Sequence, residues 1–252
     1  MNNIPPITIL LYHDLVDVGD PCQKGCISIS LFVEHMRELK RHGFRITTLE
    51  DGFNCLGGAA GETPSGQCVV TFDDAFDGLY RFLPTVLQEL DGKATVFVIT
   101  DYVGQSNLWN TRASAVRRHM SVDMLLELQD RGVALELHGA DHHNLLKFST
   151  DELNARFNAG ISWFENVLRR RPKYLAYPYG AFNATVATAA SRHFEGALSV
   201  NHGKWWGSDS VFGLNRISVP HYLSGRDLLD VVLTAPGDRW IVTEQKAPWK
   251  RL

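Results

Sequence analysis

Asp73 and Asp74 stand side by side at the end of an apolar, β-branched run, Cys68–Phe72. Two adjacent carboxylates in such a place are costly to bury unless they are paired or bound to a cation. An Asp that follows a strand can also cap the next helix, which explains one of the pair but not both. Farther along, His138 and His142 lie four apart in His138-Gly139-Ala140-Asp141-His142-His143, directly behind the run Val133–Leu137. Imidazoles at that spacing can converge on one ion, and imidazole with carboxylate suits zinc and other divalent transition metals. The plainer reading is a pair of solvated loop histidines. The Asp pair at a second strand end favours the ion. Two His and one carboxylate also make the facial triad of non-haem iron oxygenases; the spare Asp and the strand–helix pattern disfavour that reading.

These residues need a scaffold that gathers strand ends. Ile7–Tyr12, Arg45–Leu49, Cys68–Phe72, Ala94–Thr100, Val133–Leu137, Tyr174–Tyr177, Gly196–Val200 and Asn215–Val219 read as strands, several as continuous apolar runs of the buried parallel kind. Helical stripes alternate with them: Phe32, Met36 and Leu39; Leu79 to Leu90; a segment capped by Ser121; Leu153 to Leu168; and Gly225–Leu233. Ser149 and Glu152 have capping-box spacing. The alternation predicts an α/β fold, a single-domain distorted (β/α) barrel of about seven parallel strands filling residues 1–252. In such barrels reactive groups sit at the C-terminal strand ends. The Asp pair, His138, Tyr177-Pro178-Tyr179-Gly180 and His13 all follow strand runs.

Composition narrows the class. In 252 residues, 25 Lys and Arg against 28 Asp and Glu leave a net charge of −3 with no basic cluster, which argues against nucleic acid as partner. No apolar run reaches the ~18 residues of a membrane span, and no signal segment is visible, so a cytoplasmic location is expected. Cys22, Cys26, Cys55 and Cys68 then read as free thiols. Gly57–Gly66 reads as a surface loop. Ten histidines are many, but His35, His42, His119 and His193 fall in helical or connecting segments and read as ordinary.

Thr71-Phe72-Asp73-Asp74-Ala75, His138-x-x-x-His142 and Tyr177-Pro178-Tyr179-Gly180 together resemble the first three motifs of the NodB-type polysaccharide deacetylases, carbohydrate esterase family 4. Leu11-Tyr12-His13-Asp14 and the segment Phe32 to Phe44 are similar to other stretches of that family, so the resemblance covers about residues 7–235. It implies a distorted (β/α) barrel holding one divalent metal, zinc first, with cobalt, nickel, iron and manganese as alternatives. Asp74, His138 and His142 would be the ligands, Asp73 the general base on the attacking water, and the Tyr179 backbone N–H part of the oxyanion site. Such an ion brings the pKa of water towards ~7 and stabilises charge on the acyl oxygen.

Three positions depart from the pattern. Ala75 stands where Gly is usual. Ala176 replaces an Arg that pairs with the base; Arg216, beside a later strand, resembles an Arg of some members and is the expected substitute. The late Leu-x-His, whose His acts as general acid, is missing. His13, His202 and His221 are candidates, with His13 first because it ends the first strand; His143 reads as a neighbour of the ligands. Trp205, Trp206 and Trp109, with Tyr177 and Tyr179, are candidates for a sugar platform against the alternative of core packing. The expected function is removal of an N-acetyl group from a nucleotide-linked, lipid-linked or oligomeric sugar in cell-surface glycan assembly. The rivals are a deformylase with the same metal site and a sugar-binding pseudoenzyme.

Overall fold

Strand β1 (Ile7–Tyr12) is buried along its whole length, and its apolar residues face two different neighbourhoods in alternation. Ile7 and Ile9 join Val69, Phe97, Tyr174, Ala176, Leu198 and Leu214 in one cluster. Leu10 and Tyr12 join Val70, Phe72, Val96, Leu135, Leu137 and Leu175 in a larger one that takes in the helices. The first cluster is the barrel interior and the second the jacket between strands and helices, which is why so many strands read as unbroken apolar runs. The computed structural model describes residues 6–17, 25–54, 66–107, 116–206 and 210–236.

In chain order β1 is followed by β2 (Asp14–Val16), β3 (Cys26–Ser28), α1 (Ile29–Arg41), β4 (Phe44–Thr47), α2 (Leu49–Asn54), β5 (Gly66–Phe72) and α3 (Asp77–Glu89). Then come β6 (Thr95–Val98), α4 (Val122–Asp130), β7 (Ala134–Leu137), α5 (Thr150–Trp163), β8 (Tyr174–Ala176), α6 (Ala184–Ala190), β9 (Gly196–Leu198), β10 (Ile217–Ser218) and α7 (Gly225–Thr234). The main sheet runs β10-β1-β5-β6-β7-β8-β9, with β4 also on β5, and every pairing is parallel. The stretch Leu214–Ser218 touches both edges: Leu198 bridges Leu214, and Leu10 pairs with Ile217. The fold is thus the expected distorted parallel barrel, with seven strands along its main path and β4 as an eighth beside β5.

Local rules account for most boundaries. Ser28, Ser121, Ser149, Asn183 and Ser224 cap their helices through side-chain oxygens, and Ser149 with Glu152 forms the capping box. The Leu153–Leu168 stripe is buried as read, but its last turn, Phe164–Leu168, widens into a π-helix. Gly66 is not loop: it is the first residue of β5, where an added Cβ would meet the Phe44 ring at 2.6 Å. The strand read over Arg45–Leu49 ends at Thr47, and Leu49 opens α2. Cys26 and Cys68 are free and buried; Cys22, Cys55 and the loop ahead of Gly66 lie outside the described residues.

Candidate metal centre

Three ligand-bearing side chains converge at the C-terminal ends of β5 and β7. His138 Nε2 lies 3.5 Å and His142 Nε2 3.6 Å from Asp74 Oδ1, and all three residues are buried. Two ligands about 2.1 Å from an ion at the tetrahedral angle stand about 3.4 Å apart, so these separations suit a shared divalent ion better than direct hydrogen bonds. Asp74 Oδ1 is buried without a hydrogen-bond partner, a costly state for a carboxylate oxygen. The donor set therefore fits a metal of the zinc kind, and among the described residues it is the one such cluster.

The imidazoles are prepared for that task. His138 Nδ1 donates to the Ala176 carbonyl at 2.8 Å. A carbonyl only accepts, so the neutral ring carries its lone pair on Nε2, towards Asp74. Burial lowers the pKa of both His138 and His142 and keeps them neutral, the form that binds metal. Burial, reinforced by the charge of Asp73, pushes Asp74 up to about 8.

Asp73 has the opposite environment. Burial alone would raise its carboxyl, but the Arg216 guanidinium and His138 outweigh it and hold Asp73 well below the usual carboxylate range. Arg216 Nη1 and Nη2 reach Asp73 Oδ1 and Oδ2 at 2.7 and 2.8 Å, and its Nε donates to the Ser199 carbonyl at 2.8 Å. Arg216 is wholly buried. Ala176 is buried too, and what it contributes is its backbone oxygen, to His138.

The backbone is strained at this end of the barrel. Six non-glycine residues among those described have positive φ, and four belong to the site: Asp74 (72°), Ala75 (54°), His142 (54°) and Tyr179 (61°). Each such conformation costs of order 1 kcal/mol. Ala75 thus occupies a conformation that glycine adopts freely. Neither Asp of the pair caps α3, whose N-cap is Phe76, so the capping alternative falls away. Tyr179 follows β8 in a turn closed by Gly180 N–H to the Tyr177 carbonyl at 2.7 Å. The residue is 43% exposed, and its ring is centred 4.5 Å from that of His142.

The remaining candidates separate. His13 is half-buried behind β1, in the field of Asp73, Arg216 and His138; burial lowers its pKa to about 4. His202, His221 and His143 are exposed, and His143 Nδ1 pairs with Asp141 at 3.1 Å. Of the two readings of Trp205, sugar platform or core packing, the structure shows core packing. This residue is 5% exposed, exchanges backbone hydrogen bonds with Ile7 at the start of β1, and packs on Phe53 at 4.9 Å. It plugs the barrel end opposite the site. Trp206, the next residue, is partly exposed. Tyr177 is buried, stacked on Phe182, and donates to the Phe212 carbonyl, so it is core. Trp109 lies outside the described residues. His119, read as ordinary, is buried and donates from Nδ1 to the Asp74 carbonyl at 2.6 Å. Its partner is 45 residues away in the chain, beyond any local pattern.

Comparison with known proteins agrees with this arrangement. YxkH of Bacillus subtilis (strain 168) is 23% identical over 221 residues, 87% of this chain and 73% of that protein. The poly-beta-1,6-N-acetyl-D-glucosamine N-deacetylase of Staphylococcus aureus (strain MRSA252) is 27% identical over 166 residues, 62% of this chain. The match spans 54% of that relative, about half its length. The Streptococcus pyogenes deacetylase PplD, solved in complex with acetate, superposes with a TM-score of 0.76 at 22% identity, over 90% of this chain and 98% of that one. IcaB from Ammonifex degensii gives 0.72 at 20% identity, over 90% and 97%. At such identities the two structures show a shared fold. The family model described as "Polysaccharide deacetylase" matches residues 60–194, more than half of the sequence, and this chain belongs to the polysaccharide deacetylase family.

Proposed function

We propose that the protein is a metal-dependent hydrolase that removes the acetyl group from an N-acetylated sugar, with Asp74, His138 and His142 holding one divalent ion, zinc first. The observation that carries this is the convergence of those three side chains on one buried point, with Asp73 beside them on a separate partner. A divalent ion held there supplies Lewis acidity, bringing the pKa of water towards ~7 and drawing charge from the acyl oxygen. Asp73 takes the proton of the attacking water. Arg216 keeps it ionised, so it is a fixed, oriented acceptor and not a strong base. The Tyr179 backbone N–H, in its rigid turn beside His142, takes part of the charge that develops on the acyl oxygen. Of the acid candidates, His13 directly follows β1 in the field of Asp73 and Arg216, and it is assigned the proton delivered to the leaving amine. Its depressed pKa leaves it neutral beforehand, so the proton it delivers is the one that Asp73 takes from the attacking water. The polymer named for the staphylococcal relative, poly-beta-1,6-N-acetyl-D-glucosamine, makes an N-acetylglucosamine oligomer the first substrate to try. Among the described residues no helix is long and apolar enough to cross a membrane.

The test is acetate release by zinc- or cobalt-reconstituted protein from N-acetylated monosaccharides, nucleotide sugars and oligosaccharides, with N-formyl and O-acetyl analogues alongside. Acetate from an N-acetyl member is expected. Formate only would establish the deformylase, and binding without release of either, with metal bound, would overturn catalysis.

A further inference from the structure

The segment Arg117–Met120 lies as a strap between two others. On one side His119 N–H meets the Gln105 carbonyl at 2.8 Å and Gly104 N–H the Met120 carbonyl at 2.8 Å. On the other, Met120 N–H meets the Ala75 carbonyl and Asp77 N–H the Arg118 carbonyl, both at 2.9 Å. The strap thus grips the turn in which Asp74 and Ala75 are left-handed. At its centre the His119 ring, 3% exposed, is stacked on Phe76 at 4.7 Å and lies 5.7 Å from Tyr102. From there Nδ1–H donates to the Asp74 carbonyl at 2.6 Å.

We propose that His119 is a positioning residue for the metal centre: its hydrogen bond to the Asp74 carbonyl holds a strained backbone so that the Asp74 carboxylate meets His138 and His142. The inference rests on the reading of Asp74 as a ligand. A residue with φ of 72° relaxes when nothing holds its peptide groups, and small rotations there swing the carboxylate off the two imidazoles. The side chain chosen fits the task. It is flat enough to lie against Phe76, and its donor is Nδ1, the ring nitrogen nearer the backbone.

Zinc affinity, by competition with a chromogenic chelator, and the visible absorption of the cobalt-loaded protein test this without turnover. His119→Phe keeps the flat ring and loses the donor. His119→Gln keeps an amide but moves its N–H outward to the Nε2 position. His119→Asn places an N–H where Nδ1 stands. The Phe and Gln variants are expected to bind zinc ten- to a hundred-fold more weakly, the usual loss for an outer-shell partner, with an altered cobalt spectrum. Asn should restore most of both. If Phe and Gln bind within twofold of the parent, or if Asn is as weak as they are, the inference is wrong. Should the Phe variant fail to fold, the Gln–Asn comparison decides alone. Asp74→Asn is run in parallel. If it binds zinc as the parent does, the ligand assignment has failed and not the hydrogen bond.

Discussion

Arg216 holds Asp73 through both carboxylate oxygens, at 2.7 and 2.8 Å, although 143 residues separate them in the chain. The fork-to-fork geometry is the strongest that a guanidinium offers a carboxylate. It is anchored at the barrel seam, where Arg216 N–H donates to the Asn201 carbonyl at 2.9 Å and Nε to Ser199. Closing the barrel and charging the site are therefore one structural event.

Arg216→Met should cost about 3–5 kcal/mol at pH 7, because it leaves the Asp73 charge buried and alone. Adding Asp73→Asn should return much of that loss, since the orphaned charge goes with it. The pair also sets an acid limit. The folded pKa of Asp73 is depressed, so its stabilisation is present above the unfolded value of 3.8 and lost as pH falls through the folded one. In the single variant burial is no longer opposed by Arg216 and the Asp73 pKa rises, so its penalty is relieved as the carboxyl protonates and the loss relative to the parent should be smaller at pH 3.5 than at pH 7. Urea denaturation at pH 7 and pH 3.5 reads both effects; a single variant within 0.5 kcal/mol of the parent would refute the pairing.

Metal removal should be visible in stability. A ligand at a hundred times its Kd adds about 2.7 kcal/mol, or about 5–10 °C in Tm for a chain of this size. Zinc or cobalt should produce that rise in the parent and a chelator should reverse it. Asp74→Asn and His138→Ala should abolish it, while Asp73→Asn should keep the rise and lose turnover. A rise that survives in His138→Ala would refute the ligand set.

The residues legible in the sequence and those that were not differ in a physical way. Ile7–Tyr12 and Cys68–Phe72 could be read as strands because burial on both faces demands apolar side chains at every position. The Ser149 capping box could be read because both partners lie within one turn. The Asp pair and the His pair were visible as two strand-end clusters, and the family likeness supplied their joint role. The role of His119 is not legible in the sequence because its partner, Asp74, is remote in the chain, and for the same reason only the structure, which pairs Trp205 with Ile7, decides between platform and core packing for Trp205. Which end of the barrel receives a loop residue is a matter of topology, to which local pattern is blind.

Asp14 gives a pH signature of the opposite sign to Asp73. It is buried at the start of β2, just past the C-terminal end of β1, and burial raises its pKa from 3.8 to about 7 against the pull of Arg117, 3.8 Å away. A carboxyl whose folded pKa is raised contributes most below its unfolded value, and that contribution fades as pH rises through about 7. Asp14→Asn removes the titration. Oδ1, which accepts from Leu15 N–H at 2.9 Å, has an equivalent in Asn. Relative to the parent, the variant should therefore be more stable at pH 8 than at pH 5, by denaturant midpoints at both values. An equal difference at the two pH values would show that Asp14 does not titrate in this range.

Glu136 supplies what the β7–β8 ladder lacks. These strands share a single registered pair, Leu137 with Leu175. Below it the buried Glu136 carboxylate accepts Lys173 N–H at 2.6 Å and Tyr174 N–H at 2.8 Å on one oxygen, and Arg170 at 2.8 Å on the other. Glu136→Ala strands two backbone donors, each costing about 1–3 kcal/mol. Glu136→Gln retains an oxygen for both and loses chiefly the Arg170 partner, so it should cost less than half as much. β8 ends at Ala176, whose carbonyl orients His138, so the alanine variant should also bind zinc more weakly than the glutamine variant. Urea denaturation with a zinc titration of each checks both. An alanine variant as stable as the parent would mean that the sheet holds its register here without the carboxylate.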